Sequence, residues 1–167
     1  MPQNNPLPDD HQLRNRLINH IKGGQAFASL DNVINKLPFY KLGVVPDNLP
    51  YSFFQLFWHI RVAQVDILEY CRSSSYNSPN WPDDYWPEQN APANEHEWKK
   101  LVENYFNERE AFCELIQDKS NDLMKPLPGN PEHNLFRQAQ LIIEHTSFHT
   151  GQLYILLRLL SNEQPAS

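Results

Sequence analysis

The sequence predicts an all-α fold, a four-helix bundle, on three observations. The 14 prolines fall almost wholly into four zones, at residues 2–8, 38–50, 79–92 and 126–131. Proline lacks the backbone N–H and clashes with the preceding helical turn, so it marks the breaks between helices. Between the zones lie four long stretches without proline, and each repeats apolar residues at steps of three and four. No stretch carries a competing strand pattern.

The first helix is expected from about Asp10 to Lys36, with Leu13, Leu17, Ile21, Gly24 and Ala28 along one face. Within it the Gly23–Gly24 pair costs roughly 1 kcal/mol per glycine. Close approach of a neighbouring helix, or a kink, accounts for the pair better than room beside a pocket. The second helix starts near Ser52, a good N-cap, and runs to about Ser73. Its apolar stripe is Phe53, Phe57, Ile60, Ile67 and Cys71. The third starts at Asn94, where Asn94 and Glu97 have the spacing of a capping box. Trp98, Leu101, Tyr105, Phe112 and Ile116 mark its buried side. The fourth runs from about Asn134 to Leu160. Leu135, Ala139, Ile142, Thr146, His149, Leu153, Leu156 and Leu160 form its seam.

The connection from Ser74 to Ala93 is long, and its length lets the chain cross the bundle so that helices two and three run parallel. It carries Tyr76, Trp81, Tyr85 and Trp86, so it is expected to pack onto the bundle. Pro82 and Pro87 flank Tyr85 and Trp86 and suit a fixed cover. Residues 1–167 read as a single domain, with 1–9 a flexible tail.

Composition narrows the function. The net charge of −6, with no Lys/Arg cluster, argues against nucleic-acid binding. No apolar run approaches the roughly 20 residues of a membrane span, and residues 1–10 hold no apolar signal segment. Only two cysteines occur. Cys71 and Cys113 read as reduced thiols of a cytoplasmic protein.

Three of the seven histidines stand out. His145 and His149 are four apart on the fourth helix, so they share a face and can converge on one cation. Gln152 returns to that face, placed to hydrogen-bond a ligand or an imidazole. His149 lies on the apolar seam, and His59 sits among bulky apolar residues of the second helix. An unpaired ring there costs free energy. One shared metal satisfies all three rings, and three separately hydrogen-bonded histidines satisfy them equally well. Thr146 follows His145, so the general-base glutamate of H-E-x-x-H peptidases is missing. Glu144 points about 100° away from His145. Arg109, on the buried side of the third helix, wants a carboxylate, and Asp66 is a candidate partner.

Several segments resemble the DinB-like superfamily of four-helix-bundle proteins, which shares only a name with the DNA polymerase. They are LPYSFFQLFWH (49–59), AQVDILE (63–69), SPNWPDDYWP (78–87) and EHTSFHTGQL (144–153). The resemblance spans nearly the whole chain. It implies an up-down-down-up bundle with a long crossover between helices two and three. It also implies metal ligation by His59, His145 and His149. Two positions depart from related sequences: Tyr51 and Phe27 stand where similar chains carry histidine.

Three imidazoles leave open positions on a divalent ion, which points to chemistry or ligand binding rather than a closed structural site. The expected ion is zinc or nickel, with iron also allowed. The resemblance admits two reactions on a small-molecule ligand: hydrolysis, or S-transfer from a low-molecular-weight thiol. A non-catalytic metal-dependent binding or stress-response protein is the alternative. Asp66, Tyr85 and Trp86 are expected around the site, with the Ser74–Ala93 loop either walling it or capping the bundle far from the ion as packing. A homodimer is compatible with all of these.

Overall fold

The computed structural model describes residues 9–128 and 130–161. All but Asp9 of the expected flexible tail lies outside the described residues. Four helices dominate: α1 (Asp10–Lys22), α2 (Phe53–Arg72), α3 (Glu95–Gln117) and α4 (Leu135–Ser161). α2 packs against α3 and α4, and α1 packs against the same two helices.

Three helix starts follow from short polar side chains. The Ser52 hydroxyl accepts from Gln55 N–H at 3.1 Å, and the Gln55 side chain accepts from Ser52 N–H at 3.0 Å. Ser52 is the N-cap expected from the sequence, and Gln55 completes it as a reciprocal capping box. Asn94 accepts from Glu97 N–H at 2.9 Å, while the Glu97 carboxylate reaches back one residue further, to Ala93 N–H. Asn134 caps α4, accepting from Arg137 N–H at 2.9 Å.

α1 ends at Lys22, not at Lys36. Gly23 and Gly24 adopt φ of 79° and 78°, a conformation open to glycine and closed to a continuing right-handed helix. The pair therefore terminates the helix rather than kinking it. Beyond it the chain folds back in irregular turns, and Leu30, Val33, Ile34 and Leu37 are still buried.

A second correction concerns strands. β1 (Pro126–Leu127) and β2 (Asn130–Asn134) form a small antiparallel ribbon just before α4, with an irregular register. It is too short for an alternating pattern and contains Pro126 and Pro131, so the sequence does not announce it.

The core has two parts. Phe53, Phe57, Trp98, Tyr105, Leu153 and Leu156 belong to one. Leu17, Leu68, Phe112, Ile116, Leu135 and Ile142 belong to the other. Buried Arg14 donates to Ile116 C=O at 2.7 Å, Asp118 C=O at 3.0 Å and Asn121 C=O at 2.8 Å. A cation there satisfies carbonyls left open at the C-terminus of α3. Arg109 pairs with Asp31 at 2.8 Å and 3.2 Å, not with Asp66. Asp31 lies on the folded-back segment, which reaches α3 only because α1 stops early. Cys71 and Cys113 are free thiols. Burial pushes them up to about 12 and about 11, which leaves them protonated and unreactive. No helix among the described residues is long and apolar enough to cross a membrane.

Candidate metal centre

His59 projects from α2 and is 1% exposed. His145 and His149 project from α4, half-buried, one turn apart. One ring nitrogen from each lies within 4.8 Å of the others. Nε2 of His59 and Nε2 of His145 are 3.0 Å apart. Two nitrogens at about 2.1 Å from one ion, subtending a right angle, would be separated by about that distance.

The outer nitrogens of His59 and His149 are occupied by the protein. His59 Nδ1 donates to the Tyr85 carbonyl at 3.1 Å, and His149 Nδ1 donates to the Gln152 side-chain oxygen at 2.6 Å. With the protons held there, the Nε2 lone pairs are left for the centre of the cluster. Such partners fix tautomer and ring orientation at metal sites. Burial, with a smaller effect of the His149 ring, lowers His59 to about 4. Burial and the two neighbouring rings lower His145 to about 3. Burial lowers His149 as well. All three are neutral at pH 7, the form that ligates metals. Three neutral imidazoles, two of them oriented by protein partners, fit a divalent ion such as zinc, nickel or iron.

The loop from 73 to 94 lies over this cluster. The Trp86 ring stacks on His59 at 4.2 Å and 4°, and Tyr51 stacks on the far side of Trp86 at 5.7 Å. Tyr85 does two things at once. Its carbonyl holds His59, and its hydroxyl donates to Asp66 at 2.7 Å. Burial and the Asp66 carboxylate raise the Tyr85 phenol above its ordinary range, so it stays a donor. The loop is tied to the start of α2 by Ser52 donating to Asn90 C=O and by Gln55 donating to Pro87 C=O at 3.3 Å.

The structure thus brings His59, His145, His149, Gln152, Tyr85 and Trp86 together, and links Asp66 to them through Tyr85. Two aromatic neighbours were not read from the sequence. Phe148 lies 5.0 Å from His149, and Trp81 lies 6.1 Å from His59, ring centre to ring centre. Phe148 sits inside the H-x-x-x-H motif and is 64% exposed, an apolar ring left on the open side. Of the departures, Tyr51 joins the stack at the cluster. Phe27 instead lines a small recess with His20, Tyr105 and Thr150.

The family model of the DinB superfamily matches residues 24–153. The chain belongs to the DinB superfamily. No curated protein and no solved structure matches it. The match takes in α2, the long loop, α3 and the histidine pair of α4, which is to say every element of the cluster.

The neutral histidines give this DinB protein a defined acid response. The unfolded chain protonates its histidines near 6.5, whereas folded His59 and His145 resist until about 4 and about 3. Between those values the unfolded state binds more protons, so stability falls as the pH drops below about 6.5. The slope is at most about 1.4 kcal/mol per pH unit for each ring. Urea unfolding of metal-free protein at pH 7 and pH 5 should show the loss. An undiminished loss in a His59→Gln, His145→Gln variant would assign it to other groups.

Proposed function

We propose that this protein is a metal-dependent enzyme in which His59, His145 and His149 hold one divalent ion, zinc or nickel before iron. The reaction we infer is S-transfer from a low-molecular-weight thiol to an electrophilic small molecule. The observation that carries the reading is a set of three neutral imidazoles, two of them oriented by protein partners, beside an open concavity. Leu141, Glu144, His145 and Phe148 line that concavity. A bound ion there would supply Lewis acidity, lowering the pKa of a thiol or a water beside it.

The chain's own part is to position and to exclude. Tyr85 and Gln152 keep the imidazole protons off the reacting side. Leu141 and Phe148 supply apolar walls to the concavity, which small-molecule pockets usually have, while Trp86 and Trp81 lie against His59. In the reaction the thiol releases its proton to solvent and the sulfur pair attacks the electrophilic carbon. The new S–C bond forms as the leaving group departs with its electron pair. The donor set places no acid against a leaving group, and this favours electrophiles whose leaving group needs no proton.

Hydrolysis is the second reading, favoured by one observation. Glu144 lines the same concavity as His145, where a carboxylate can take a proton from water. A metal-dependent binding protein without turnover uses the same residues.

The helix directions belong to this reading too. α1 up, α2 and α3 down, and α4 up are supported by the cross-links. Arg14 meets the end of α3 while Lys22 meets Glu110. Phe57 packs on Trp98 and Arg61 pairs with Glu108 further along both helices. Tyr70 meets His133 at the start of α4, and His59 meets His145 beyond it. We read the chain as one domain. Two free thiols, Cys113 buried and Cys71 half-buried, support a reducing compartment such as the cytoplasm.

The test is metal analysis of untagged protein, followed by a screen of small thiols against alkyl and aryl electrophiles. One ion per chain and turnover that requires both ion and thiol are expected. Turnover of esters or amides without thiol would select hydrolysis. Metal without turnover of any class would select the binding protein.

A further inference from the structure

A second concavity adjoins the one beside His145. Asp66, Tyr70, His133, Arg137 and Leu141 are among the residues that line it. Leu141 lines both, so the two concavities lie side by side along α4, one beside His145 and the other towards the start of the helix. Arg137 and His145 are eight residues apart on one helix, about 12 Å along its axis.

Arg137 is set apart from the other arginines. Arg14, Arg61, Arg72 and Arg109 each pair with a carboxylate. Arg16 and Arg158 are exposed to solvent. Arg137 is half-buried, and among the described residues its guanidinium has no acidic partner within 4.0 Å. Asp66 lines the same concavity but does not pair with Arg137. Its Oδ2 accepts from Tyr85, and its Oδ1 is buried without a partner. Beside Arg137, the Tyr70 hydroxyl meets His133 Nδ1 at 2.8 Å. When that hydroxyl donates, the His133 proton lies on Nε2 and gives a second donor at the rim.

We propose that Arg137 binds the carboxylate end of an elongated small molecule whose other end reacts at the histidine cluster. A single guanidinium matches a carboxylate in a two-point fork. Leu141, midway between Arg137 and His145 on α4, supplies apolar contact along the intervening stretch. The substrate class is therefore a monoanionic acid with about eight to ten bonds between the carboxylate and the reacting atom. This inference rests on the metal-centre reading and adds a specificity-determining residue to it.

The test uses cobalt(II)-loaded protein and follows the thiolate-to-cobalt absorption band as a binding signal. The probes are mercaptooctanoate and its neutral counterpart mercaptooctanol, with mercaptopropionate and mercaptopropanol as a pair too short to span the two concavities. The long acid should bind about tenfold more tightly than the long alcohol, equivalent to about 1.4 kcal/mol. The short pair should show no such preference. Arg137→Gln should remove the preference while leaving cobalt stoichiometry and mercaptooctanol affinity unchanged, and Arg137→Lys should restore part of it. Equal affinities for the long pair in the unaltered protein, or a preference that persists in Arg137→Gln, overturns the role of Arg137 alone. Absence of cobalt binding, or of any thiolate band with all four probes, overturns the metal-centre reading and this inference with it.

Discussion

Alanine in place of His149 is expected to abolish stoichiometric metal binding while leaving the fold intact. The substitution removes one of three nitrogens that meet within 4.8 Å. Two imidazoles on different helices remain, held by a single contact at 3.0 Å. Loss of a supporting partner alone typically costs ten- to a hundredfold in affinity, so loss of a ligand should cost more than about a hundredfold. Little of the fold depends on this ring. His149 is half-buried and its protein hydrogen bond is to Gln152, whose amide can turn to water. The metal-to-protein ratio after gel filtration and titration with zinc measure the first effect, and far-ultraviolet circular dichroism measures the second. One tightly held ion per chain in the variant would refute the three-histidine site.

Chelation should lower the melting temperature, and zinc or nickel should restore it. An ion that binds only the folded chain stabilises by about 2.7 kcal/mol when its free concentration is a hundred times its dissociation constant. For a chain of this size each kcal/mol moves the midpoint by about 2–4 °C. The expected drop is then roughly 5–10 °C. The His149→Ala variant gives the control, because its melting curve should not respond to chelator. An unchanged curve for the unaltered protein after verified metal removal would show that no ion contributes to its folding.

What the sequence carried, and what it did not, divides along the range of the interaction. Ser52 with Gln55, and Asn94 with Glu97, announce helix starts because the capping partners lie three residues away. His145 and His149 announce a shared face because one helical turn brings them together. The end of α1 was misread for a related reason. Apolar residues go on recurring after Gly24, and Leu30, Val33, Ile34 and Leu37 are buried without belonging to an α-helix. Periodicity registers burial there and takes it for helical form. Once the chain turns at Gly23, Asp31 comes within reach of Arg109, a pairing of residues 78 apart that no local pattern encodes. The stacking of Trp86 on His59 was hidden in the same way. Loop aromatics signalled that the loop packs down, but the ring they would cover depends on how the loop crosses the bundle.

The way the cluster is divided between elements bears on how such a protein can change. The three imidazoles stand on two long helices fixed by the core, whereas most of the aromatic surface around His59 comes from one loop. Tyr85 holds His59 by its carbonyl and Trp86 by its stacked ring. Trp81 lies further out, 6.1 Å from the His59 ring and 68% exposed. Loops tolerate substitution better than the elements they join. Exchanges at Trp81 and its exposed neighbours would therefore reshape what the site admits while the helices keep the same three nitrogens in register. A lineage built on this plan could diversify its substrates through one surface segment and inherit its metal chemistry unchanged.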